Sequence, residues 1–166
     1  MRKGFIFTVA VLAALAQPAS AQQAEPQALR ITASNVTAEA TERETAPGVV
    51  LPGDVLEYEL AFTNVQDFPI QDVVFTDPIP SGLVIQLGTA SADRGDVVID
   101  YSIDGAASWT ATPTVRVEEA GQIVERPAPA TAYTHVRWTV TDPIAPGATV
   151  TARFRASAAG NAGGGR

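Results

Sequence analysis

The sequence predicts an all-β fold, a single antiparallel β-sandwich behind a cleavable export signal. Short apolar runs of period two recur at regular spacing, and clusters of Gly, Pro, Asp and Asn punctuate them. After residue 21 no segment of helical length carries a 3.6-residue apolar repeat. About eight to ten short strands separated by turn signals is the pattern of two packed antiparallel sheets.

Taken in order, residues 29–41 alternate at Leu29, Ile31 and Ala33, then shift phase near Ser34-Asn35 to Val36, Ala38 and Ala40. One bulged strand or two short strands fit that pattern. Pro52-Gly53-Asp54 marks a turn, and the clearest strand follows, with Leu56, Tyr58, Leu60 and Phe62 on one face and Glu57, Glu59, Ala61 and Thr63 on the other. A polar face opposite an apolar one indicates a half-buried antiparallel strand. Further strands are predicted over 70–76, with Val73 and Phe75 on one face, and over 83–87 and 97–103. Asp104-Gly105 ends the last of these. Residues 114–117 form a short strand, Ala120-Gly121 turns it into Ile123 and Val124, and the Pro- and Ala-rich stretch 126–131 is a loop. Val136, Trp138 and Val140 then alternate inward, as do Val150, Ala152, Phe154 and Ala156.

Two stretches nearly repeat: Asp77-Pro78-Ile79-Pro80-Ser81-Gly82 and Asp142-Pro143-Ile144-Ala145-Pro146-Gly147. Each is expected to turn the chain at the end of a sheet, the Asp bonding loop amides, the Pro fixing φ and removing a ladder donor, and the Gly allowing the reversal.

Met1-Arg2-Lys3, an apolar run over 4–16 and the small-residue box Ala19-Ser20-Ala21 read as a secretory signal peptide over 1–21, too short to span a bilayer. Residues 22–28 are then a flexible mature N-terminus, 29–157 the β domain and 158–166 a flexible Gly-rich tail. Cleavage after Ala21 leaves roughly 145 residues, a usual length for one domain with a real core. Loss of the two cations Arg2 and Lys3 takes the formal charge from −7 to −9. So acidic a surface argues against nucleic acid and anionic membranes as partners. The chain has no cysteine, so stability comes from packing, and no second apolar stretch is long enough to cross a membrane.

Few residues offer chemistry. His135 is the only imidazole, and alternation turns it outward beside Arg137, away from any Ser-His-Asp arrangement. Asp93, Asp96, Asp100 and Asp104 crowd one segment. They are the calcium candidates, as hard oxygen donors at the end of a sheet, although their spacing is not that of an EF-hand. No other cofactor is expected. Arg94-Gly95-Asp96 spells an integrin-binding tripeptide but also fits a polar turn. Trp138 reads as core. Trp109, among Ser108, Thr110 and Thr112, is either a ligand platform or an aromatic packed under a loop. Open sheet edges offer amides for β-strand addition, with residues 29–40 able to pair in their own sheet or a neighbour's.

In chain order, Pro52-Gly53-Asp54-Val55-Leu56-Glu57-Tyr58, Thr63-Asn64, the stretch VVFTDPIPSGL, Trp138 and Ile144-Ala145-Pro146-Gly147 resemble the DUF11 family of bacterial surface and secreted repeat domains. The resemblance spans about residues 51–156, with a long segment over 88–135 between its shared motifs. It implies an immunoglobulin-like sandwich in an envelope or surface protein, with no enzymatic activity. Some surface sandwiches cross-link Lys to Asn. Lys3 is the chain's one lysine, so after cleavage that bond has no donor, and Asn64 is expected to cap a turn. The reading is therefore a non-catalytic exported module, periplasmic, outer-surface associated or secreted, whose partners are envelope or surface proteins. The alternative is a soluble ligand-binding protein for carbohydrate or calcium.

Overall fold

The computed structural model describes residues 28–44, 46 and 48–160. The expected signal peptide, residues 22–27 of the mature N-terminus and the end of the Gly-rich tail at 161–166 lie outside the described residues. Among the described residues the chain is all-β, with ten strands in antiparallel sheets. β1 (Leu29–Asn35), β2 (Val55–Thr63), β10 (Thr149–Ala158) and β4 (Leu83–Ile85) lie side by side in that order, and β5 (Ser91–Ala92) also pairs with β10. A second sheet runs β3 (Val74–Pro78), β9 (His135–Val140), β6 (Val97–Ser102), and β7 (Thr114–Glu119) with β8 (Gln122–Pro127) forms a separate hairpin.

Side chains from the two larger sheets make one core. Val136 and Trp138 on β9 are fully buried, and so are Val150, Ala152, Phe154 and Ala156 on β10, every second residue as the alternation requires. Trp138 lies 6.0 Å from Phe154 between ring centroids, Phe62 lies 5.7 Å from Phe75, and Tyr58 stacks on Phe154 at 5.0 Å. The indole N–H of Trp138 donates to the Ser91 carbonyl at 3.1 Å, so the largest core side chain leaves no unpaired polar atom. On the opposite face of the first sheet, Arg153 and Arg155 bind their register partners Glu59 and Glu57, each at 2.8 Å.

Several expectations are corrected. Residues 36–40 are neither strand nor bulge. They form α1 (Val36–Ala40), because the Asn35 side chain caps the turn by accepting from the Ala38 amide at 2.9 Å. The alternation is that of a strand, but over five residues the local cap outweighs it, and only Ala38 of the three is buried. The strand expected over 70–76 begins only at Val74, since Asp72 adopts a positive φ of 56° that breaks the extended chain, and it continues through Pro78. Ile70 instead makes an isolated bridge to Ile144. β4 stops at Ile85, leaving Leu87 half exposed, and β8 runs to Pro127 inside the expected loop. At the two ends, Ala28 accepts from Thr63, Ala158 belongs to β10 and Ala159 donates to Gly82, so the sheet reaches into both expected flexible segments.

Ala120-Gly121 turns the β7–β8 hairpin as expected. Both residues have positive φ, 51° and 79°, as a two-residue hairpin with the right twist requires.

The two larger sheets differ in width. β2 meets β3 through Phe62 and Phe75, and β10 meets β9 through Phe154 and Trp138. Leu29 and Ile31 share a face with their register partners Phe62 and Leu60, yet they are 40% and 51% exposed. Nothing among the described residues covers β1 on that side.

Candidate functional site

An aromatic and cationic cluster is built on β6 and β9. Asp100 and Arg137 are register partners, and the guanidinium donates to the carboxylate at 2.8 Å. Tyr101 and Thr110 exchange backbone hydrogen bonds of 2.9 and 3.1 Å, which brings the 108–112 segment back along β6. Trp109 is thereby held against β9. The Arg137 guanidinium carbon lies 4.5 Å from the Trp109 ring centroid, and the His135 ring meets its edge at 6.2 Å. One cation thus serves the Asp100 carboxylate and the Trp109 π-face together. The ring is half-buried, so it is a packed aromatic with a cation on one face. His135 also approaches Thr134, Nδ1 to Oγ1 at 3.0 Å.

The structure does not gather the four candidate calcium ligands. Asp93 accepts from the Thr151 amide at 3.0 Å, Asp100 is held by Arg137, and Asp96 is gripped by Arg94, whose Nε donates at 2.6 Å and whose Nη2 also binds. The Arg94-Gly95-Asp96 tripeptide is therefore closed on itself, and the Arg94 hydrogen bond holds the Asp96 carboxyl below its ordinary range. Asp104 accepts from Ser102 Oγ at 2.7 Å and from the Ser108 amide and hydroxyl at 2.9 and 2.5 Å. Chiefly the Ser108 bonds lower its pKa to about 2. Among the described residues no three His, Cys, Asp or Glu are grouped to hold a metal ion.

Two features were not singled out from the sequence. The first is Asp54, 2% exposed at the start of β2. It accepts from Arg43 Nη2 at 2.6 Å, Asn35 Nδ2 at 2.7 Å and the Leu51 amide at 2.8 Å, and the Arg43 bond leads in lowering its pKa to about 2. The aspartate of the predicted Pro-Gly-Asp turn is thus the junction of β1, α1 and β2. Gly53 sits at φ 88° beside it, which a side chain would strain. The second feature is an apolar cleft of about 480 Å³ lined by Leu87, Tyr101, Pro113, Pro127 and Tyr133, at the base of the β7–β8 hairpin. Tyr101 and Tyr133 meet edge to face at 5.3 Å, and burial pushes both hydroxyls up in pKa. The signal available was Tyr101 on the inward phase of Val97 and Ile99; Tyr133 stands in no alternating run.

No family model matches the sequence, and no curated protein matches it either.

Proposed function

We propose that the chain is a non-catalytic, exported structural or interaction module of the bacterial cell envelope or surface. In this reading it is an immunoglobulin-like β-sandwich of the kind the DUF11 resemblance implies, and it binds or assembles through sheet edges and end loops. The observation that carries the reading is β1, an edge strand whose Leu29 and Ile31 face inward and stay 40% and 51% exposed. An uncovered edge with free amides is a template for a further strand, and the main chain supplies the affinity. Export rests on the sequence pattern of residues 1–21.

Fractionation of the native host tests this, with protease applied to intact cells and the protein followed by antibody. Recovery in a large envelope-bound assembly is expected. Release as a small soluble species that holds no partner would overturn the structural role.

The apolar cleft favours a second reading, a soluble periplasmic or secreted ligand-binding protein. Its two tyrosines suit a carbohydrate ring, and Trp109, which lies outside the cleft beside Arg137, is a separate candidate platform. If that reading holds, Tyr133→Ala for a sugar in the cleft, or Trp109→Ala for one on the outer platform, abolishes sugar binding while the protein stays folded. For calcium, a chelator would lower the thermal midpoint by mass action.

A further inference from the structure

Not every edge of the described sheets is equally open. β3 ends in Pro78, which has no amide to offer, and β6 is already bridged at Tyr101 by Thr110. β4 and β5 are three and two residues long. The β7–β8 hairpin is flanked by Arg116, Glu119, Glu125 and Arg126, the kind of charge that discourages pairing. β1 has no proline, no bridging segment and a single charge, Arg30. Its seven residues, Leu-Arg-Ile-Thr-Ala-Ser-Asn, contain no Pro and no Lys, and they pair with β2 in unbroken register.

The ladder fixes which way each backbone group points. The Thr63 amide donates to the Ala28 carbonyl at 2.8 Å, so Ala28 and every second residue after it turn their polar groups to β2. Leu29, Ile31 and Ala33 turn theirs to the open side. These same residues carry the uncovered apolar side chains.

We propose that β1 pairs antiparallel with β1 of a second copy of this chain, across a twofold axis at Ile31, joining the two five-stranded sheets into one. This deepens the edge-assembly reading above and rests on it. The strand is self-complementary in that register. Ile31 faces Ile31, Leu29 faces Ala33, and the three residues of each copy exchange about six backbone hydrogen bonds. Charge agrees with it. Arg30 falls opposite Thr32 of the second copy, and the next residue across that row is Glu59, the register partner of Thr32. Among the described residues Arg30 is the one arginine with no carboxylate partner, and this register sets it across one strand from Glu59, whose carboxylate it would share with Arg153.

The absence of cysteine gives a direct test, because an introduced thiol is the only one in the chain. Facing residues of a hydrogen-bonded antiparallel pair sit about 5.5 Å apart at Cα, within reach of a disulfide. Mild oxidation of purified Ile31→Cys should give a covalent dimer, and Leu29→Cys should give at least about tenfold less. The Leu29→Cys, Ala33→Cys double variant should restore it. Sedimentation of the wild type should show a monomer–dimer equilibrium that Ile31→Lys weakens about tenfold or more by setting two cations face to face. Ile123→Lys on the hairpin should leave that equilibrium unchanged.

Equal cross-linking at 29 and 31, or none at either, overturns the twofold at Ile31. If the purified protein is monomeric but the native host still yields a large envelope assembly, self-pairing falls and the edge reading stands with a foreign strand. If Ile31→Cys cross-links as expected but the host releases only a free dimer, self-pairing stands and the envelope role falls.

Discussion

The tetrapeptide Thr-Asp-Pro-Ile occurs at 76–79 and again at 141–144, and the two copies are folded in opposite phase. In the first, β3 runs on through the Asp-Pro pair, so Asp77 follows Phe75 inward, 8% exposed and opposite Val136, while Ile79 is only partly buried. In the second, β9 has already ended at Val140. Asp142 is exposed, and Ile144 is fully buried, exchanging backbone bonds of 3.0 and 2.8 Å with Ile70. What the copies share is the reversal, with Gly82 at φ 84° and Gly147 at φ 72°. Neither aspartate bonds the amides of its own turn as the sequence suggested: Asp77 Oδ2 has no hydrogen-bond partner among the described residues. Local words therefore specify that the chain turns, while pairing with neighbouring strands decides which side chain goes inside.

The largest expected effect breaks the comparison at its apolar member. Ile144→Ala should cost about 2–5 kcal/mol, as for a fully buried aliphatic side chain, and Ile79→Ala only roughly 1–2 kcal/mol. Equal losses in urea unfolding would mean that the two isoleucines are buried alike.

Next comes the anchor that only the second copy has. Asn64 is fully buried; its Nδ2 donates to the carbonyls of Ile144 at 2.8 Å and Phe68 at 2.9 Å, and its Oδ1 accepts from the Gln66 amide at 2.9 Å. Its backbone adds bonds to Ala148 and Gly147. The expected turn cap is thus also a tie between two loops 80 residues apart. The first copy closes through backbone bonds alone, Ile79 to Thr134 and Ala159 to Gly82. Asn64→Ala should cost about 2–3 kcal/mol, because buried carbonyls lose their donor. Asn64→Asp should be no better, since a carboxylate offers no N–H to either carbonyl. Recovery of wild-type stability in Asn64→Asp would locate the function of this side chain in its accepting oxygen alone.

A third change should not discriminate. Around both glycines a Cβ would meet nothing within 4 Å, so only the left-handed φ opposes a side chain. Gly82→Ala and Gly147→Ala should each cost about 1 kcal/mol, equally within error. A clear difference would show that the two reversals are not the same device.

The same division between local and long-range information governs the whole chain. β9 and β10 were legible because each alternates for six residues or more against one continuous core, and the burial of Trp138 and Phe154 follows from phase alone. α1 was not, since Val36, Ala38 and Ala40 alternate as a strand does, and the Asn35 cap overrides that pattern over a segment in which only Ala38 is buried. The Trp109 cluster was legible as a residue but not as a site. Its partner Arg137 lies 28 positions further along, and Arg137 takes its carboxylate from 37 positions back. The openness of β1 was hidden for a related reason. Alternation says that Leu29 and Ile31 point inward, but whether anything faces them depends on the relative widths of the two sheets.

The smallest effect is also the one whose sign separates the copies most sharply. Burial pushes the Asp77 carboxyl above its ordinary range, and the charge of His135 pulls against that shift. The folded chain then binds this proton more tightly than the unfolded chain does. Its contribution to stability is complete below the ordinary aspartate value of about 3.9 and is lost as pH rises from there through the raised folded value. Asp54 acts in the reverse sense: its carboxyl is lowered to about 2, so its stabilisation is present above the ordinary value and is lost as pH falls toward 2. Asp77→Asn should therefore raise stability at neutral pH, by about 1 kcal/mol for an ionised acceptor without a partner, and remove the decline on the rising side. The acid-side loss due to Asp54 should stay in place. Asp142→Asn, at an exposed position, should track the wild type at every pH. Urea midpoints across the pH range read both variants directly. A less stable Asp77→Asn at neutral pH would mean that the attraction between His135 and the Asp77 charge outweighs its desolvation, and that the buried aspartate stabilises its turn after all.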